Sequence, residues 1–126
     1  MKQKILVVDD DAVQRDLYVE VFKEKGYEVI SASDGLEGLE TALKAMPELI
    51  FTGIIMPRMD GFEFIRNLRG NIVTAQIPVI MFSHLGREED REKAKKLDNV
   101  TFMVKGFATP AEIVAKVAEL LDQSKE

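Results

Sequence analysis

The chain has no cysteine among its 126 residues and a single histidine, His84. Without thiols there is no disulfide framework, no cysteine-held zinc and no thiol nucleophile. Long apolar runs are also missing. The N-terminus passes from Lys2 and Lys4 into four apolar residues, Ile5 to Val8, and then into three aspartates. Four residues are too few for the core of a signal peptide or for a spanning helix, so a cytoplasmic protein with no membrane partner is expected. Nor is there a basic surplus: 17 Lys and Arg stand against 22 Asp and Glu, a net charge of −5. A duplex binder needs a concentrated basic face to displace counterions, so nucleic acid is not expected as the direct partner. No repeat, linker or low-complexity tract breaks the chain. No glycine-rich fingerprint follows the first apolar run, which argues against a nucleotide or flavin binder.

What is present is ordinary soluble composition, 46% apolar and 31% charged, which favours neither disorder nor a membrane class. The length suits one domain with a real core. Five short, β-branched apolar runs recur at Ile5 to Val8, Tyr27 to Ala32, Leu49 to Thr52, Val79 to Phe82 and Thr101 to Val104. Each is strand length. Between and after them, apolar residues fall at 13, 17, 18, 21 and 22, then 36, 39, 43 and 46, then 62, 65 and 68, and lastly 113, 114, 117, 120 and 121. Those spacings trace single helix faces.

Helix starts are marked by four capping-box pairs, Asp11 with Gln14, Asp34 with Glu37, Asp60 with Glu63, and Thr109 with Glu112, the last with Pro110 at a favoured first helical position. Gly26 and Gly70 stand where a helix end wants a left-handed residue. A fifth helix, about Arg87 to Leu97, is charged nearly all round and is expected to be the most loosely held. Phe62 and Phe64 lie two apart, which predicts Phe62 in the core and Phe64 partly exposed.

Alternating strands and helices predict a mostly parallel sheet covered on both faces. Ligands of such a sheet bind beyond the carboxyl ends of the strands. Those ends present Asp9, Asp10 and Asp11, then Gly53, then Ser83 and His84, then Lys105. Acids for a hard cation, a hydroxyl and an ammonium make a phosphoryl-type site, and Mg²⁺ takes one or two carboxylates plus waters and phosphate. Asp11 reads as a helix cap, while Asp9 and Asp10 are costly to hold together without a cation. Met56 and Met59, flanking Pro57, read as adaptable loop packing.

The segments ILVVDDD, PELIFTGIIMPRMDGFEF, IPVIMFSHL and FMVKGF resemble, in order and spacing, the signature segments of a response regulator receiver domain of the single-domain, chemotaxis type. The resemblance covers essentially residues 1–126 and leaves no effector domain. It implies a flavodoxin-like, doubly wound α/β fold, with a five-stranded parallel sheet of order 2-1-3-4-5 and five helices. It also implies a signalling module rather than an enzyme. In that family a histidine kinase's phosphoryl group passes to an aspartate closing the third strand. Carried over by position, Mg²⁺ would be held by Asp9, Asp10 and the backbone carbonyl of Ile55; Ser83 is the hydroxyl switch, Phe102 the aromatic switch and Lys105 the phosphate-binding lysine. The loop Pro57, Asp60 and Gly61 belongs to the same pattern.

The acceptor position itself is Gly53, which has no oxygen to attack phosphorus or bind metal. Thr52 should face the other side of the strand, Glu48 begins it, and Asp60 is a cap. With one carboxylate fewer, Mg²⁺ affinity should fall. Two further departures are Gly106, where the family has proline, and His84, where it has a small residue. A cis bond without proline is costly, so Lys105–Gly106 is expected to be trans. The expectation is a receiver that cannot be phosphorylated as written and acts by protein-protein interaction. The alternative is an ordinary phosphorylatable response regulator whose acceptor aspartate has been replaced by glycine in the laboratory, since TGIIMP is one codon-level change from TDIIMP. By the same resemblance, a histidine kinase or downstream signalling protein should bind the face made by the fourth helix, fifth strand and fifth helix.

Overall fold

The computed structural model describes residues 2–123. Five strands, Lys4–Val8 (β1), Glu28–Ala32 (β2), Leu49–Thr52 (β3), Val79–Ser83 (β4) and Val100–Val104 (β5), alternate with five helices, Ala12–Glu24 (α1), Gly35–Ala45 (α2), Gly61–Arg69 (α3), Glu88–Lys95 (α4) and Pro110–Gln123 (α5). All strand pairs are parallel and the sheet order is β2-β1-β3-β4-β5, the predicted flavodoxin-like architecture. Because a buried parallel strand has helices on both faces, the central strands are nearly continuous apolar runs, and their side chains sort alternately into two cores. Leu6, Val8, Ile50, Val79 and Met81 face α2, α3 and α4. Ile5, Val7, Leu49, Phe51, Ile80 and Phe82 face Tyr18 and Phe22 of α1 and Ile113, Val117 and Leu121 of α5. In that second layer Tyr18, Phe22, Phe51 and Phe82 form a ring cluster with centroids 4.9–5.8 Å apart.

The helix starts are capped at the expected residues, with corrections to the wiring. Asp11 accepts from the amides of Val13 and Gln14, Asp34 from Glu37, and Asp60 from Glu63. Only Thr109 and Glu112 make both bonds of a capping box. Glu37 reaches one residue further back than a box requires, to the Ser33 amide at 2.6 Å and hydroxyl at 2.8 Å. Gly26 is left-handed, φ +92°. Gly70 is not, at φ −80°, because α3 runs on into a turn through Asn71. The left-handed cap of α2 is instead Met46, φ 48°. In α4, Ala94 is the one buried residue and no side chain caps the start.

Phe64 is the clearest correction, being fully buried rather than partly exposed. A single helix face fails here because α3 is buried over a wide arc that takes in Gly61, Phe62, Phe64, Ile65 and Leu68. A β-carbon at Gly38 of α2 would stand 3.2 Å from the Phe64 ring tip, so the glycine opens the slot that the ring fills. Phe62 is buried on the other side, beneath Lys93 of α4, whose ammonium lies 5.2 Å from the ring centre.

Two outcomes test this packing. Phe64→Ala should lower unfolding free energy in urea by about 3–5 kcal/mol, the range for a fully buried ring. The second concerns Asp34, whose carboxyl is held below its ordinary 3.8, first by the Glu37 amide and then by the Arg58 guanidinium. A group depressed on folding gives stability that is complete above its unfolded value and lost as pH falls through its folded value. Asp34→Asn should therefore flatten the loss of stability on acidification below pH about 4, measured as urea midpoint against pH.

Candidate functional site

The register of the sheet sets the site. Val8 pairs with Ala32 on one side and Thr52 on the other, so Asp9 and Gly53 emerge side by side at the carboxyl end. The Gly53 amide donates to the Val8 carbonyl at 2.9 Å, and the Asp9 amide to Ala32 at 3.1 Å. A β-carbon built on Gly53 would lie 3.6 Å from the Asp9 carboxyl carbon, in ordinary contact. Thr52 faces the other way by strand alternation, and its hydroxyl donates to the Gly53 carbonyl at 3.0 Å.

A cavity of about 330 Å³ opens here, lined by Asp9, Asp10, Asp11, Gly53, Ile54, Ile55, Ser83, His84, Leu85 and Asp90. Asp9 is 5% exposed. Burial pushes its carboxyl above the ordinary value, with Asp10 and Asp11 adding to the rise; the Asp11 amide and His84 oppose it. That amide donates to Asp9 Oδ1 at 2.9 Å. Ser83 is buried as the last residue of β4, and its Oγ accepts from the Gly86 amide at 2.9 Å. His84 is exposed, yet it lines the cavity with its ring 6.1 Å from that of Phe82.

Of the sequence-predicted residues, Asp9, Asp10, Gly53, Ile55 and Ser83 converge on this cavity. Lys105 does not line it and is exposed. It follows β5, next to the end of β4, and its amide donates to the Ser83 carbonyl at 2.9 Å. The turn that follows is also distinctive, since Gly106 has φ +89°, a conformation closed to proline. Lys105–Gly106 is trans. Phe102 is half-buried at a second groove of about 590 Å³, shared with Leu85, Arg91, Phe107 and Glu112, and the Arg91 guanidinium lies 4.9 Å from its ring centre. Pro57 and Asp60 stand exposed in the β3–α3 loop, with Met56 buried beneath it. Gly61 is structural: its amide donates to the Ile54 carbonyl at 2.7 Å, and a β-carbon there would collide with the Gly53 carbonyl.

The sequence reading missed Asp90 and Arg15. Asp90 joins the cavity from the first turn of α4, and the Arg15 Nη1 donates to the Asp9 carbonyl at 2.9 Å. Asp90 stands seven residues past Ser83 in a run charged nearly all round, which offers no local signal for it.

The model of the response regulator receiver domain matches residues 5–118. The chain belongs to this family. It is thus a two-component response regulator receiver domain. It is 32% identical over 125 residues to a probable transcriptional regulator, ycf27, of Guillardia theta, covering 99% of this chain and 48% of that protein. It is 34% identical over 118 residues to the DNA-binding dual master transcriptional regulator RpaA of Synechocystis sp., covering 94% of this chain and 48% of that protein. The receiver chain thus spans about half the length of these curated relatives. Among solved structures, the chemotaxis protein CheY4 of Vibrio cholerae superposes with a TM-score of 0.87 at 29% identity, over 95% of this chain and 99% of that one.

Receiver domains typically bind Mg²⁺. Among the described residues no group of three or more Asp, Glu, His or Cys side chains is placed to cage a metal. Two carboxylates nonetheless suit Mg²⁺, which keeps most of its waters, and a cation beside Asp9 would offset its burial and its acidic neighbours. Among the described residues no helix is long and apolar enough to cross a membrane.

The two glycines of this receiver's β3 end should respond oppositely to alanine. Gly53 has space and no left-handed backbone, so Gly53→Ala should stabilise by about 0.4–1 kcal/mol through the unfolded chain. Gly61→Ala should cost about 1–3 kcal/mol through overpacking. Paired urea titrations compare them.

Proposed function

We propose that this receiver domain, of the single-domain chemotaxis type, signals by phosphorylation-independent contact with protein partners, because Gly53 occupies the family's acceptor position. The observation that carries the reading is local. Gly53 closes β3 beside the buried carboxylate of Asp9, where an acceptor would stand, and it supplies no oxygen. Aspartyl phosphate needs a carboxylate nucleophile. Asp60 is committed to capping α3, and Thr52 lies on the opposite face.

Bound Mg²⁺ would supply positive charge at the strand ends. Asp9, Asp10 and the Ile55 carbonyl are the groups proposed to hold it, more weakly than with a third carboxylate. Ser83 and Phe102 are proposed as the hydroxyl and aromatic switches, and Lys105 as the phosphate-binding lysine. The groove between α4, β5 and α5 is the proposed docking face for a histidine kinase or a downstream protein, and it combines apolar lining with Arg91 and Glu112. In this reading the chain acts as a signalling module rather than an enzyme and works in the cytoplasm. The transcriptional regulators among its relatives are roughly twice its length, so DNA binding is not assigned to residues 1–126.

A second reading, an ordinary response regulator altered by substitution at position 53, is favoured by one observation: the space and backbone at Gly53 accept a β-carbon without collision. Incubation with Mg²⁺ and acetyl phosphate, followed by intact mass, should return the unmodified chain; a phospho-adduct would sink the first reading. Gly53→Asp in the same assay should gain an adduct if the surrounding site is competent. Its failure to do so would point to the departures at Gly106 and His84 and weaken the second reading.

A further inference from the structure

The β3–α3 loop contains a strained turn that its own hydrogen bonds do not explain. Arg58 has φ +66°, and the Met59 amide donates across it to the Pro57 carbonyl at 2.7 Å. A three-residue turn with positive φ at its centre is a rare, strained form, and arginine has none of glycine's tolerance for it. Strain of this kind persists only where the surroundings hold it. Here the surroundings are the start of α2. The Arg58 Nε lies 2.8 Å from Asp34 Oδ2, and the Asp34 side chain is only 9% exposed. One residue on, the Gly35 amide donates to the Met59 carbonyl at 3.2 Å, and a β-carbon at Gly35 would collide with that oxygen. The same short loop carries Ile54 and Ile55 into the wall of the strand-end cavity.

We propose that the Arg58–Asp34 ion pair is a latch that holds the β3–α3 loop down on the start of α2 and thereby fixes the mouth of the strand-end cavity. Arg58 and Asp34 are positioning residues in this scheme, since neither lines the cavity. The pair is formed between a mostly buried carboxylate and an arginine side chain that is itself exposed. It can therefore release without opening either hydrophobic core. Nothing in it depends on the chemistry at position 53.

Amide exchange and isoleucine methyl spectra of the full chain test the latch, with Arg58→Ala, Asp34→Asn and the double variant beside the parent. Asparagine keeps a capping oxygen for α2, so Asp34→Asn removes the charge pair while sparing the helix start. The reporters are Gly35 and Gly61, whose amides bond to the loop; the controls are Asp9 and Gly53, whose amides bond within the sheet region. Both single variants should speed exchange at the reporters by roughly tenfold and leave the controls unchanged, as a local opening does. The double variant should be no faster than either single, because both remove one contact. The methyl signals of Ile54 and Ile55 should shift while those of Ile5 and Ile113 stay. Unchanged reporters, equal acceleration at the controls, additive effects in the double variant, or unmoved Ile54 and Ile55 methyls would each overturn the proposal. Arg58→Lys should recover part of the protection.

Discussion

The parallel pairing of β1 with β3 is the constraint on which the site depends. A register of Val8 against Thr52 places Asp9 beside Gly53 at the same level of the sheet. A slip of one residue would turn every side chain to the opposite face, exchanging Thr52 for Gly53 at the cavity and sending Leu49 and Phe51 out of their ring-lined core. The two hydrophobic layers therefore do more than stabilise. By fixing which face each strand residue takes, they determine which atoms meet at the carboxyl ends. The same alternation aims Phe51 and Phe82 at Tyr18 and Phe22, so the aromatic cluster and the acidic cavity are consequences of one register.

Most of the fold was legible because its signals are local. Buried parallel strands read as unbroken β-branched runs, and the helix starts announce themselves through carboxylates and a threonine that take up orphan amides. The misreadings share another cause, tertiary context. Phe64 is buried because α2 offers Gly38 opposite its ring, a relation between residues 26 positions apart that no periodicity within α3 contains. Gly70 was assigned a left-handed cap from its position alone, but the chain beyond it continues to turn toward Asn71 and Thr74 and needs no reversal there. Glu37 follows the capping-box spacing and still bonds elsewhere, since Ser33 presents both an amide and a hydroxyl within reach.

The site was legible to the same degree and for the same reason. Asp9, Asp10, Gly53 and Ser83 sit at strand ends, and strand order brings strand ends together. Asp90 comes from a helix whose sequence is charged nearly all round, so nothing in its own neighbourhood distinguishes the one carboxylate that turns inward. Lys105 shows the converse. Its place after β5 aligns it with the other strand ends and next to Ser83 of β4, yet its exposed side chain does not join the cavity lining.

Gly53 and Gly61 together separate architecture from chemistry in this loop. Gly61 is a packing requirement, since the first turn of α3 passes so close to the end of β3 that a β-carbon would strike the Gly53 carbonyl. Gly53 answers no such requirement, for its backbone is ordinary and its surroundings leave room for a β-carbon. What lies next to that room is a buried carboxylate with two acidic neighbours and a raised proton affinity. Such a group is a net cost to folding unless hydrogen bonds or a cation meet it. The Asp11 amide meets one oxygen of Asp9. Asp9 lines the cavity, so a solvent-borne cation entering there would reduce the remaining electrostatic cost. The pocket thus sets a buried acidic group beside a position that offers no carboxylate, and both follow from the one register that joins β1 to β3.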